Sequence, residues 1–313
     1  MSLAALIRRA VPASLKSWVR SRSSSGRIGG ALSPYLPATI CVDVGASHYP
    51  HVKWAVFLNS RNTSWLAVEP NEANIGYTKN WRWPSRIATC TTGLSREGGQ
   101  KTLYVTNVDT GSSLLPPVIP EGMTHRIRNL DYFFPVTERQ IDTLTLVQAL
   151  DGLPADAPVC VKLDTQGTEL SILQGAQSLF DSHRIVGLET EATLLAQPLM
   201  QGSGKFWEVC RYLEEQGMEL LHIKPISAAA RNGAPARTFH TYLNECDAVF
   251  ALRPDVAAKL QVEFRICLLA FYATNLFFEE ALALLERDPE VCDHLRRQGC
   301  DLDLLQGMLV SAS

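Results

Sequence analysis

The sequence predicts an α/β protein built on a mostly parallel sheet covered by helices on both faces, with a purely helical C-terminal extension. Three observations predict it. Strand and helix signals alternate from about Thr39 to Arg253, the signature of βαβ units with right-handed crossovers. Three apolar strands end on an acid: Ile40–Ala46 reads I-C-V-D-V-G-A, Trp65–Pro70 reads W-L-A-V-E-P, and Val159–Glu169 reads V-C-V-K-L-D-T-Q-G-T-E. Carboxyl ends of parallel strands are where such sheets bind ligands. From Asp255 onward the pattern is helical only.

Taken in order, the strand Ile40–Val44 precedes a helix over Val52–Ser60, the strand Ser64–Val68, a helix from Asn71 to Lys79 and the strand Arg86–Thr91. Lys101–Thr106 reads as an added strand. Asp109–Asn129 reads as a long Gly, Ser and Pro-rich loop, of a length usually reserved for a task such as closing over a substrate. The sheet is expected to resume at Phe134–Ile141, then Val159–Leu163 and Arg184–Glu189. A helix over Phe206–Gln216 stops at Gly217, as a C-terminal capping glycine requires. Glu219–Ile223 and Asp247–Leu252 read as the last strands, with a Gly/Ala/Arg loop at Ser227–Thr238 near them. Val256–Glu286 reads as helix, and Asp288-Pro289-Glu290 as a second helix start. Three units follow: a basic leader with a helix (1–37), the α/β domain (38–254) and the helical extension (255–313).

Composition bounds the function. The chain has 313 residues and a net charge of −3, which argues against a nucleic-acid partner. The first 42 residues carry six basic side chains and no acid. This leader reads as a short amphipathic helix, Leu3–Val19, followed by a solvated linker; a transit peptide would look similar. Eight scattered cysteines with no C-x-x-C pair suggest neither a disulfide framework nor a zinc site, and point to a reducing, cytoplasmic setting. The longest apolar run, Ile266–Phe278, is too short to span a bilayer. Large apolar residues between Leu260 and Phe277 need a covering surface, either on the domain or across a homodimer interface through the C-terminal helices.

Candidate site residues follow from the strand ends. Gly45 lets backbone approach a ligand closely, and Asp43 before it can accept hydrogen bonds from a bound cofactor, or serve only as a turn residue. Glu69, the acid that ends the next strand, is placed to grip a ribose. Asp164 and Glu189 are expected on adjacent strand ends facing one substrate hydroxyl, with a divalent ion as the rival reading. Lys162 is Asp164's one evident sequence neighbour of opposite charge and is expected on the opposite face. Glu169 reads either as a capping-box acid at the third helical position, reaching back to the backbone of Gln166, or as a functional acid, and Glu191 shares a face with Glu189. His48 and His51 flank the glycine turn, and His51 is the candidate base of the two.

The motifs C-V-D-V-G-A (41–46), A-V-E-P-N (67–71), I-D-T-L-T-L (141–146), V-K-L-D-T-Q-G-T-E-L-S-I-L-Q-G-A (161–176) and I-V-G-L-E-T-E (185–191) together resemble the FkbM family of S-adenosylmethionine-dependent methyltransferases. The resemblance implies the class I methyltransferase fold, a Rossmann-like, mostly parallel seven-stranded sheet, and methyl transfer from S-adenosylmethionine to hydroxyls of a small-molecule or glycan acceptor. It implies that Asp43, Gly45 and Ala46 line the methionine side of the cofactor, that Glu69 holds the ribose, that Leu94 and Ser95 lie near the adenine, and that Asp164 stands close to the reacting methyl. It implies no fixed metal. Candidate bases are Asp164, Glu189 and His51, in that order. The chain departs from the family after D-V-G-A: Ser47-His48-Tyr49-Pro50 has no second glycine. Two rival classes remain open: a nicotinamide oxidoreductase, disfavoured by the lack of G-x-G-x-x-G, and a non-catalytic methyltransferase-like binding or assembly protein.

Overall fold

A computed structural model describes residues 24–47, 50–71, 74–75, 82–118, 134–227 and 243–312. The leader helix expected at Leu3–Val19, His48, most of the helix expected at Asn71–Lys79, and parts of both long loops lie outside these residues. The main sheet has seven strands: β1 (Thr39–Val44), β2 (Thr63–Val68), β3 (Arg86–Cys90), β7 (Val159–Leu163), β8 (Ile185–Thr193), β9 (Met218–Ser227) and β10 (Leu243–Leu252). Their order is β3-β2-β1-β7-β8-β10-β9. All pairs are parallel except those of β10, which runs antiparallel to β8 and β9. This is the seven-stranded class I methyltransferase sheet. The chain builds outward from β1 in one direction and from β7 in the other, so the topological switch point lies between them, where open sheets of this kind bind ligands.

Two expectations about this sheet change. Lys101–Thr106 and Phe134–Ile141 do not enter it. They pair antiparallel as β5 (Gly99–Thr106) and β6 (Pro135–Leu144), and with β4 (Gly93–Leu94) they form a separate three-stranded sheet. The physical reason is polarity. A strand inside a parallel sheet is buried on both faces, whereas Pro135 to Gln140 of β6 are all exposed. The helix expected at Val52–Ser60 is a 3₁₀ turn, Val52–Trp54, followed by the single turn α2 (Ala55–Leu58).

Helices cover both faces. On one face, alternate residues Ile40, Val42 and Val44 of β1 meet α4 (Glu169–Gln174), α5 (Gln177–Asp181) and α6 (Phe206–Glu215) through Ile172, Leu173, Phe180, Val209 and Leu213. α3 (Leu146–Ala149), with a Thr145–Gln148 capping box, follows β6. On the other face, Cys41, Trp65, Cys160 and Val186 meet α1 (Ser24–Leu32), α2 and the C-terminal helices.

The expected continuous helix Val256–Glu286 is three: α7 (Pro254–Ala257), α8 (Val262–Thr274) and α9 (Phe278–Arg287), the last break marked by Leu276 at φ 66°. α10 (Pro289–Arg297), with Asp288 as the N-cap accepting from Val291 N–H, and α11 (Leu302–Val310) complete the chain. The C-terminal helices form one helical layer of the sheet itself. From Arg265 to Thr274, α8 is buried at every position, because it lies between β8 on one side and other helices on the other. A methyl group on Gly187 of β8 would sit 2.6 Å from a ring carbon of Phe271; the glycine is what lets α8 approach. No helix among the described residues is long and apolar enough to cross a membrane.

Candidate active site

The sheet's switch point opens into a crevice lined by Val44 and Gly45 at the end of β1, Val68, Glu69 and Asn71 after β2, Leu94 of β4, and Asp164 and Thr165 after β7. Its outer wall is the small sheet, through Leu103, Val105, Arg139 and Ile141, and the segment Thr110–Leu114. Each acid arrives there for a local reason. β1 and β7 are in register from Ile40↔Val159 to Val44↔Leu163, and Asp164 N–H donates to the Val44 carbonyl at 3.1 Å. Gly45 has φ 77°, and a methyl group on it would overlap the carbonyl oxygen of Asp164 and lie 2.9 Å from its carbonyl carbon. The two strand ends therefore touch backbone to backbone, an approach that only a glycine permits. The crevice lining, with bare Gly45 backbone and the Glu69 carboxylate on one wall, would suit the methionine and ribose portions of S-adenosylmethionine.

Glu69 lies on the crevice wall, its Oε1 accepting from Asn71 N–H at 2.8 Å, which fixes the turn after β2. Leu94 is buried on the same wall. Ser95 is buried just behind it, bonded through Oγ to Thr143 at 2.8 Å and accepting from Gly98 N–H at 3.0 Å; it shapes the pocket without lining it. Ala46 is also buried outside the lining.

Asp164 has its side chain 46% exposed at the crevice. The expectation that Lys162 points away from it is corrected. Residues two apart in a strand share a face, and Lys162 Nζ lies 3.3 Å from Asp164 Oδ2 and 3.4 Å from Asp43 Oδ1. Burial alone would lower the Lys162 pKa, but the charges of Asp43, Asp164 and Glu189 outweigh it and hold the ammonium well above its ordinary range. Register explains the cluster. Asp43 pairs with Lys162, and Lys162 with Glu189, across β1, β7 and β8. Glu189 is ion-paired to Lys53 and does not line the crevice. His51 is exposed and accepts from Lys53 N–H through Nδ1 at 3.1 Å. Desolvation by its loop, then the charge of Lys53, push its pKa below the ordinary value.

The polar turn after β7 is built by Glu169. Its carboxylate accepts from Thr165 N–H at 2.8 Å and Gly167 N–H at 2.9 Å, which clamps Gln166 at φ 57°. The clamp closes on Thr165 and Gly167, the residues on either side of Gln166. Burial pushes the Glu169 carboxyl up, against those hydrogen bonds, which pull it down. The Gln166 amide reaches Glu191 Oε2 at 2.7 Å and Asp164 Oδ1 at a long 3.4 Å, and Ser113 Oγ donates to the Gln166 carbonyl at 2.9 Å. Burial, then the nearby acids Asp164 and Glu245, raise Glu191 well above the carboxylate range.

Sequence reasoning missed Lys53, Gln166, Ser113 and Arg139. Gln166 carried a signal in the T-Q-G turn; Arg139 reaches the crevice only because β6 left the main sheet. Among the described residues no cluster of three or more His, Cys, Asp or Glu side chains could hold a metal ion, and all eight cysteines are free.

The model of the methyltransferase FkbM domain matches residues 43–220. No curated protein matches the chain. Among solved structures, the chain is similar to precorrin-6y C5,15-methyltransferase from Geobacter metallireducens (13% identity, 72% of this chain and 86% of that one, TM-score 0.31). It is also similar to an S-adenosylmethionine-dependent methyltransferase from Mesorhizobium loti (9%, 74% and 99%, 0.33) and to one from Anabaena variabilis (11%, 72% and 81%, 0.32).

Proposed function

The chain belongs to the FkbM family of S-adenosylmethionine-dependent methyltransferases, and on that premise we propose that it methylates a hydroxyl group of a sugar, glycan or secondary metabolite. The observation that carries this reading is the Asp164 carboxylate, half-exposed at the crevice wall where its backbone packs against Gly45. S-adenosylmethionine supplies an already activated methyl group, so the protein's work is positioning and proton removal. Glu69 would accept from the ribose hydroxyls. Gly45 backbone would line the methionine end, with Asp43 and Ala46 buried behind it, and Leu94, backed by Ser95, would pack against the adenine. Asp164 orients the acceptor hydroxyl and takes its proton on Oδ1, which carries only the long 3.4 Å contact from the Gln166 amide, whereas Oδ2 is ion-paired to Lys162. Glu189 and His51 rank below it as bases. The ion pair with Lys53 occupies Glu189, and the imidazole's depressed pKa weakens His51.

The test is transfer of labelled methyl groups from S-adenosylmethionine into pooled metabolites and oligosaccharides, with wild type and Asp164→Asn compared, each with and without EDTA. Asp164→Asn keeps the shape and removes the base, so turnover should fall on the order of 10²–10⁴-fold with cofactor affinity little changed. Near-normal turnover would remove Asp164 from catalysis, and loss of wild-type activity with chelator would replace the metal-free reading. Wild-type turnover also separates an enzyme from a binding protein on the same fold.

A further inference from the structure

Lys162 is the residue the mechanism leaves without a task. Its side chain is 22% exposed and lies under the crevice, outside the lining. A cation in such a place is costly unless paired, and a single carboxylate would satisfy it. Lys162 instead straddles two strand ends, Asp43 of β1 at 3.4 Å and Asp164 beyond β7 at 3.3 Å. The adjacent acid of the same row, Glu189, is ion-paired to Lys53. Beneath the switch point, three carboxylates, Asp43, Asp164 and Glu189, thus stand against two ammonium groups, Lys162 of β7 and Lys53 of the 3₁₀ turn.

That balance matters for this cofactor. Methyl transfer discharges a sulfonium cation and leaves a neutral thioether. Uncompensated carboxylates below the site would hold the cation more tightly than the state that follows it. Binding energy spent on the ground state does not accelerate the chemical step. We propose that Lys162 is a positioning residue that sets the crevice's discrimination between S-adenosylmethionine and S-adenosylhomocysteine, by cancelling the charge of Asp43 and Asp164 while holding both carboxylates at the strand ends. It acts through those two acids and touches neither ligand. The inference rests on the cofactor assignment and is independent of which acceptor is methylated.

The experiment is calorimetric titration of the full chain with each of the two ligands, for wild type, Lys162→Met, Lys162→Gln and Lys162→Arg, with thermal melts of the unliganded proteins as the folding control. In Lys162→Met and Lys162→Gln the ratio of the S-adenosylmethionine Kd to the S-adenosylhomocysteine Kd should fall about tenfold, on the order of one charge–charge interaction at a partly buried site. Lys162→Arg, which keeps the charge, should restore the wild-type ratio to within about threefold on the same scale. Asp43→Asn removes one of the three carboxylates against the same two ammonium groups and should move the ratio the other way, so it decides the matter if neither uncharged variant folds. A folded Lys162→Met or Lys162→Gln with the wild-type ratio would overturn the proposal, as would an unmoved ratio in Asp43→Asn. Wild type that binds neither ligand would instead sink the cofactor assignment, and this inference with it.

Discussion

Replacing Gly45 by alanine tests the crevice at its tightest point. The methyl group meets the Asp164 carbonyl, backbone against backbone, and would sit 2.9 Å from its carbonyl carbon; no flexible side chain can swing aside. The residue also holds φ 77°, a conformation that costs an L-residue roughly 1–2 kcal/mol. Relief requires separating the ends of β1 and β7, which are tied by the Asp164 N–H to Val44 carbonyl bond of 3.1 Å. Losing that bond adds about 1 kcal/mol, so the expected destabilisation is about 2–3 kcal/mol before any repulsion. Shifting Asp164 and parting the two strand ends should cost far more in function than in stability. Cofactor binding should weaken by about 10²-fold or more, since a displacement of about 1 Å in a positioned site has costs of that size. Urea unfolding measures the first quantity and calorimetry with S-adenosylhomocysteine the second. Binding within threefold of wild type in Gly45→Ala would refute the claim that this contact shapes the cofactor site.

Three further perturbations probe other parts of the molecule. Glu69→Ala should weaken S-adenosylhomocysteine binding by about 1.5–3 kcal/mol, the worth of a charged hydrogen bond; unchanged calorimetry would take Glu69 out of the site. Phe271→Ala removes the ring packed on Gly187 and should cost about 3–5 kcal/mol of stability, measured by denaturant melts, whereas a loss under 1 kcal/mol would mean that α8 is no integral layer of the sheet. Burial, then the charges of Glu169, Asp164 and Asp247, raise the Glu245 carboxyl to about 7. The folded state therefore holds this proton more tightly than the unfolded state, and the contribution is present below about 4.5 and lost as pH rises to about 7. Glu191 shifts in the same direction. Glu245→Gln should flatten that slope in melting temperature against pH, and a wild-type curve rising through this window would contradict the assignment.

What could be read from the sequence divides along physical lines. The largely exposed edge strands β3 and β9 were marked by their turn signals alone. The central strands β1, β2, β7 and β8 were legible because each is a short apolar run between turn signals, and burial on both faces leaves such runs little freedom. The acids at their ends were legible for the same reason: Asp43, Glu69 and Asp164 interrupt apolar patterns at the point where the sheet ends. Pairing partners were not legible. Nothing local in P-V-T-E-R-Q-I-D-T-L tells β6 to leave the sheet and fold back on β5, since hairpin formation across a connection of nearly thirty residues is a non-local choice. Arg139 and the outer wall of the crevice depend on that choice.

The extension from 255 onward was legible as helix, and its need for an apolar partner was clear from Leu260 to Phe277. That its partner is the sheet of the same chain depends on Gly187, a single residue whose missing side chain only the packed structure explains. The charge row beneath the crevice divides in the same way. Alternation along β7 places Lys162 on the face of Asp164, but only the register of β1 with β7 and β7 with β8 adds Asp43 and Glu189 to its neighbours. A single strand therefore names the acid at the crevice wall. Two strands in register, β1 and β7, are needed to show that this acid shares one cation with a second, and on the proposed reading this sharing would tie proton removal at Asp164 to cofactor discrimination through Asp43.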